Sequence, residues 1–252
     1  MKYTVITGAS SGIGYETALA FASRGKNVIL VARRTEELEK LKTEILQMNS
    51  NLDVIIRTTD LSIPENVYNL YDSLKEYQIE TWINNAGFGN FASVGEQNLN
   101  KIQTMLHLNI EALTILSSLF VRDYSNVDGT QLINISSGGG YTIIADAVTY
   151  CATKFYVSAF TEGLAQELKE QGAKMQAKVL APAATETEFA KRSLDLNQFD
   201  YKGVVPKYHT AKQMAGFLLD LYDSEKIVGK VDGLTYEYEL KDPIFPYVKR
   251  MN

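Results

Sequence analysis

The 252-residue sequence predicts an α/β protein with a doubly wound parallel sheet in a single domain, and three observations carry that expectation. Short β-branched runs alternate with amphipathic helical stretches at the spacing of right-handed βαβ crossovers. Several of the runs are apolar throughout, as strands covered on both faces must be. No repeat, low-complexity stretch or linker divides residues 1–252, and one α/β domain commonly reaches this size.

Residues 3–7, 27–31, 53–57, 81–83, 131–135 and 175–180 read as strands. A helical stretch over 15–24 follows the first. Thr35 stands where it can cap the next helix, with Glu36 and Glu37 in its first turn and Leu38, Leu41 and Ile45 on one face. Pro64 suits the first turn of another, which carries Val67, Leu70, Tyr71 and Leu74. After Thr187 the chain changes character: residues 189–210 mix charges and aromatics with Gly203 and Pro206 and show no period. Ligands of open α/β sheets bind beyond the carboxyl ends of the strands. Residues 188–225 are therefore expected to form a substrate-side lid, with a surface excursion as the other reading of the same stretch.

Composition narrows the function. With 25 Lys+Arg against 30 Asp+Glu the net charge is −5, and no basic block offers a nucleic-acid surface. Cys151 stands alone, which excludes an internal disulfide and points to a reducing compartment. With His107 and His209 it makes too small a set for a zinc cluster. No apolar run approaches the ~18 residues of a membrane span; the longest, over 112–121, is broken by Thr and Ser. The N-terminus enters a strand pattern at once, leaving no room for a signal peptide. A cytoplasmic protein with neither nucleic-acid nor membrane partners is expected.

Thr7-Gly8-Ala9-Ser10-Ser11-Gly12-Ile13-Gly14 follows the first strand and opens a helix. Glycines let a backbone approach a pyrophosphate, and the helix start offers free N–H groups and partial positive charge. A site for NAD places an acid at the end of the second strand to hold the ribose 2′-OH. Here Arg33 and Arg34 stand there instead, suited to a 2′-phosphate, so NADP(H) is expected in preference to NAD(H).

Tyr150 and Lys154, four apart, share one helix face. A tyrosine of pKa ~10 needs a nearby cation before it can exchange a proton near neutrality. Thirteen residues upstream of Tyr150 comes Ser137, in the run Ser136-Ser137-Gly138-Gly139-Gly140 after the fifth strand. Asn84-Asn85-Ala86-Gly87 closes the fourth strand, and Asn109 lies in a helical pattern beyond it.

From about residue 3 to residue 190 this ordered set resembles the short-chain dehydrogenase/reductase family. The resemblance implies a Rossmann-type fold and hydride transfer between nicotinamide and a ketone, aldehyde or secondary alcohol. It implies Tyr150 as general acid or base, Lys154 lowering its pKa and binding the nicotinamide ribose, Ser137 on the substrate oxygen, and Asn109 holding a water linked to Lys154. Gly8, Ser10, Ser11, Gly12, Ile13 and Gly14 would cradle the cofactor. Arg33 and Arg34 would take its 2′-phosphate, Asp60 and Leu61 its adenine, and Asn85, Ala86 and Gly87 a ribose. Pro182, Thr185 and Thr187 stand where the family's Pro-Gly-x-x-x-Thr contacts the nicotinamide end, although Ala183 replaces the glycine. The ending over 230–252 lacks the glycine-rich character of tetrameric members, so a homodimer is favoured over a tetramer.

Phe88, Phe91, residues 141–144 and the stretch from Phe189 are expected to wall the substrate site, and their apolar character suits an uncharged carbonyl compound. Lys191, Arg192 and Lys207 lie on a segment that could bring charge to it. His107, Cys151 and Trp82 read as packing residues, and Asn134-Ile135-Ser136 as a buried strand rather than a glycosylation site. Two other readings stand beside the oxidoreductase. One is a non-catalytic NADP(H)-binding regulator, against which the retention of Asn109, Ser137, Tyr150 and Lys154 counts. The other is an epimerase or dehydratase of the extended branch, whose glycine spacing Gly8, Gly12 and Gly14 do not match.

Overall fold

A computed structural model describes residues 1–249; the last three residues of the 1–252 span lie outside the described residues. The first half runs β1 (Lys2–Thr7), α1 (Gly12–Ser23), β2 (Asn27–Ala32), α2 (Thr35–Met48), β3 (Val54–Thr58), α3 (Pro64–Asp72) and β4 (Gln78–Asn84). A long helix then crosses to the next strand in three parts: α4 (Leu99–Leu106), a π-helical turn (His107–Ala112) and α5 (Leu113–Tyr124). There follow β5 (Gln131–Ile135), α6 (Val148–Glu170), β6 (Gln176–Ala181), β7 (Thr185–Glu186), α7 (Phe189–Ser193) and α8 (Tyr201–Val204). The chain closes with β8 (His209–Thr210), α9 (Ala211–Asp223), β9 (Val228–Val231) and β10 (Tyr238–Lys241).

The main sheet is ordered β10-β9-β6-β5-β4-β1-β2-β3. Every pairing is parallel except β10 on β9. All six expected strands are present. The sheet is nevertheless mostly rather than wholly parallel, because the chain after α9 adds β9 and folds back as β10. These two are four residues each and interrupted by Gly229 and charged residues, too short for a pattern to register.

Alternate residues of the central strands face opposite layers, as the pleat requires. Ile6, Leu30, Ile83 and Ile133 pack with Phe21, Leu38, Leu41, Ile45 and Leu218 under α1, α2 and α9. Val5, Ile29, Trp82 and Leu132 pack with Val67, Leu116, Phe120 and Leu168 under α3, α5 and α6. Burial on both faces explains why the strand sequences are apolar without alternation.

Two expectations need correction. Thr35 does not cap α2: Arg34 takes the cap position without a side-chain bond, and the Thr35 hydroxyl pairs with that of Thr58 at 2.9 Å. The joined helix Leu99–Tyr124 does reach the length and apolarity of a membrane span, with mean hydropathy 1.4. Its apolar face is the core face of a crossover helix, where Ile102, Met105, Leu113, Leu116 and Phe120 are buried.

Candidate active site

In the sheet β5, β4 and β1 are neighbours, so the turns leaving their carboxyl ends meet. The Thr7 hydroxyl accepts the backbone N–H of Asn85 and of Ala86, both at 3.0 Å. In return the Asn85 amide donates to Thr7 O at 2.9 Å and Gly8 O at 3.3 Å. Asn85 thus stitches the two turns together. Gly8 holds φ +69°, and a Cβ on Gly14 would stand 2.4 Å from the Asn85 amide, so neither position admits a side chain. α1 then begins at Gly12 with no side-chain cap, leaving first-turn N–H groups for an anion. A close backbone turn on an uncapped helix start fits a dinucleotide pyrophosphate.

The residues expected at an adenosine end lie beside it. Arg33 is mostly exposed, 3.7 Å from Asp60. Burial works against the Asp60 carboxylate, yet hydrogen bonds from Ser62 and the Arg33 charge hold it below its ordinary range. The Leu61 side chain is buried in the core. Arg34 turns inward, donating to Ser10 O at 3.1 Å and to the Ser10 hydroxyl. It also reaches Glu188 at 3.1 Å, and Glu188 in turn pairs with Arg192.

Ser137 leaves β5 in extended conformation, and its Oγ accepts the Gly139 N–H at 3.1 Å. The turn that carries it packs on α6, where a Cβ on Gly139 would lie 3.2 Å from Cys151 Sγ, next to Tyr150. Ser136 points the other way, into α6, bonding Lys154 O at 2.9 Å and the Ser158 hydroxyl at 2.7 Å. The turn packs so tightly that a Cβ on Gly140 would lie 2.3 Å from Ser136 Oγ. On α6, Tyr150 and Lys154 are 5% and 6% exposed. Lys154 Nζ donates to Ile135 O at 2.8 Å and stands 6.0 Å from the Tyr150 ring centre. Burial dominates both groups: it pushes the phenol above its usual range and the ammonium down to about 8. In the chain alone, therefore, the phenol is not drawn down by Lys154 as the sequence argument supposed.

Asn109 sits in the π-helical turn, a rare geometry often found at functional sites. Its amide donates to Phe88 O at 2.9 Å and Thr153 Oγ1 at 3.1 Å, while its Oδ1 accepts Phe88 N–H at 3.2 Å. Gly87 lies between, with room for a Cβ only 3.0 Å from Asn109 Oδ1 and 3.6 Å from Lys154 Nζ. Asn109 accordingly ties the strand end to α6 beside Lys154.

Residues 187–193 close over these groups. Thr187 lays its methyl against Gly12 while its hydroxyl accepts Phe189 N–H, and the Thr185 hydroxyl donates to Ala183 O. Pro182 O accepts Gly138 N–H at 2.7 Å, fixing the turn after Ser137. Phe189 and Phe91 flank the Tyr150 ring at 5.4 and 6.4 Å between centres, with Ile102, Met105 and Phe88 completing an apolar wall. Phe91 N–H bonds Ser193 O, and Lys101 bonds Arg192 O and Asp195, seating the segment. Tyr141 departs from the expected wall. Its ring stacks on Phe245 at 5.5 Å and its hydroxyl donates to Glu162, drawn away by the C-terminal segment. Glu162 and Glu188 carry no motif in the sequence and only the fold brings them here, whereas Arg192 is among the charges that the sequence places on the segment after Thr187. Among the described residues no group of three or more metal-ligating side chains occurs.

Residues 2–197 match the family model for short chain dehydrogenases. A curated relative, the chicken (Gallus gallus) dehydrogenase/reductase SDR family member 11, is 31% identical over 195 residues, covering 75% of this chain and 76% of that protein. A short-chain dehydrogenase from Sphingobium yanoikuyae, solved in complex with NADPH, superposes with TM-score 0.83 at 28% identity, over 91% of this chain and 87% of that one. The bulky-bulky ketone specific alcohol dehydrogenase from Comamonas testosteroni gives TM-score 0.79 at 25% identity, over 91% of this chain and 86% of that one.

Proposed function

The chain belongs to the short-chain dehydrogenase/reductase family and is an oxidoreductase, and from that premise we propose that it is an NADP(H)-dependent reductase of uncharged ketones or aldehydes, also able to run the alcohol oxidation in reverse. The observation that carries this reading is the placing of Tyr150 and Lys154, both buried one turn apart on α6, against the Ser137 turn and under an apolar wall. The Sphingobium relative was solved with NADPH, and Arg33 and Arg34 agree with that cofactor. The Comamonas relative acts on bulky ketones, which agrees with the wall of Phe88, Phe91 and Phe189.

The glycine turn and the start of α1 would hold the dinucleotide, whose nicotinamide would supply or accept the hydride when bound. Ser137 and Tyr150 present two O–H donors to one substrate oxygen, stabilising the charge that develops there as the carbonyl is reduced. Tyr150 is fully protonated at neutral pH because burial raises it, so it is ready to give its proton to the forming alkoxide. Lys154, titrating near 8, is the nearby group that can restore that proton. Asn109 orients the strand end and α6 around Lys154. Phe189 and Phe91 cover the Tyr150 ring, so the segment from Thr187 to Thr210 is the part of the expected 188–225 lid that can act as one, whereas α9 packs Met214, Leu218 and Leu221 into the core and is no part of it. A single domain, a cytoplasmic location and a homodimer complete the proposal.

The test follows NADPH and NADH oxidation with a panel of ketones, aldehydes and diketones, comparing the native protein with Tyr150→Phe. NADPH-dependent turnover that the substitution cuts by about 10²-fold or more is expected, the scale of a lost general acid. A Tyr150→Phe protein with undiminished turnover would refute the assignment.

A further inference from the structure

The carboxylate of Glu188 lies where two guanidinium groups from distant parts of the chain converge. Arg34, at the end of β2, donates to Glu188 Oε2 at 3.1 Å across 154 residues of sequence. Arg192, on α7, donates to the same oxygen. Arg34 is held in this pose by two further acceptors on Ser10. An ion pair within α7 alone would be an ordinary surface contact. What sets this one apart is that it joins the lid to the Arg34 guanidinium through an anion, at the edge of the glycine turn.

Resting on the NADP(H) reading above, we propose that Glu188 holds the place of the cofactor's 2′-phosphate, and that Arg192 is a further phosphate-binding residue alongside Arg34. The charges agree. With Glu188 swung out, Arg33, Arg34 and Arg192 face one carboxylate, Asp60, and three cations against one anion leave +2. A phosphate monoester carries about −1.5 to −2 at pH 7 and presents three acceptor oxygens, so it can take both guanidiniums where a single carboxylate oxygen now does. The arginine and glutamate side chains are about 40% exposed, so the pair that must break is a solvent-screened one. Glu188 and phosphate cannot share the site, because two anions there would repel. The lid is thereby linked to the cofactor: Arg192 rides on the segment that also carries Phe189 over Tyr150, so phosphate binding and closure favour each other.

The test is calorimetric titration of the native protein, Glu188→Gln and Arg192→Gln with NADP+ and with NAD+, without any turnover. Arg192→Gln is expected to raise the NADP+ Kd about tenfold, the scale of one charge-assisted hydrogen bond, and to leave the NAD+ Kd within about twofold. Glu188→Gln is expected to lower the NADP+ Kd about threefold or more, again with little effect on NAD+. Both side chains are exposed, and an unchanged Tm confirms an intact fold. A native protein that prefers NADP+, with a ratio of the two Kd values that neither substitution moves, overturns this inference alone. A native protein that binds NAD+ as tightly as NADP+ overturns the cofactor reading and this inference together.

Discussion

Tyr150 and Lys154 show how far single residues can be read from a sequence. Their spacing put both on one helix face, and the Ser137 spacing distinguished it from Ser136, whose hydroxyl indeed turns into α6. The sign of the electrostatics was not legible, because a neighbouring cation is visible in a sequence whereas desolvation is not. Both groups are almost wholly buried, and burial moves each toward its neutral form. For Lys154 this makes a stability prediction. Its folded pKa, about 8, lies below its ordinary 10.5, so the unfolded chain binds the proton more tightly and charged Lys154 opposes folding. That penalty is fully present below pH 8 and fades as pH rises from about 8 to 10.5. Lys154→Met should therefore abolish turnover while its Tm at pH 7 stays at or above the native value, the lost bond to Ile135 O offsetting part of the gain. The Tm difference should narrow above pH 8. Thermal melts of both proteins at pH 7 and pH 10 check this, and a mutant less stable at pH 7 would contradict it.

Elements were legible where a long periodic pattern or a strand–turn–helix order announced them, and illegible where side chains buried between elements decide the geometry. The π-helical turn is one such place: the sequence puts Asn109 on a helix, but no periodicity signals the widened turn that carries it between Phe88 and Thr153. A second lies beneath the site. Asn84 accepts Trp82 Nε1–H at 2.8 Å and donates to Ser117 Oγ and Asn134 Oδ1, both at 3.0 Å, and Asn134 donates to Thr161 Oγ1 at 2.9 Å. These buried amides bind β4, β5, α5 and α6 together, and every partner is used. They are also why two asparagines can sit in strands covered on both faces. Asn134→Ala would leave an Asn84 amide proton without its acceptor, at a cost of about 1–3 kcal/mol. Urea unfolding should show that loss as a lower midpoint with an unchanged slope. A midpoint that does not move would mean that water or a neighbour replaces the lost acceptor.

At the scale of the whole molecule, the turn motifs implied which strand ends meet, and the sheet order bears that out. What the chain does after α9 was hidden, since it depends on one carboxylate that no local pattern marks. Glu162, 2% exposed on α6, accepts the Tyr141 hydroxyl on one oxygen and the backbone N–H of Ile244 and Phe245 on the other. Phe245 stacks on Tyr141, Lys230 of β9 lies 5.5 Å over the same ring, and the Tyr247 hydroxyl reaches Glu170 at 3.0 Å. The C-terminal segment is thus fastened along α6 and grips Tyr141, four residues beyond Ser137. Three donors converge on this buried side chain, so they are left unmatched when it is removed. Glu162→Ala should accordingly cost about 3 kcal/mol or more, expose residues 242–249 to protease, and lower kcat more than it raises KM, because the Ser137 turn loses its support rather than a substrate contact. Glu162→Gln keeps one acceptor oxygen and should fall between. Urea unfolding, limited proteolysis and steady-state kinetics on the three proteins separate the cases: a segment that stays protected in Glu162→Ala, with native stability, would show that packing against Tyr141 and Phe155 holds it without the carboxylate.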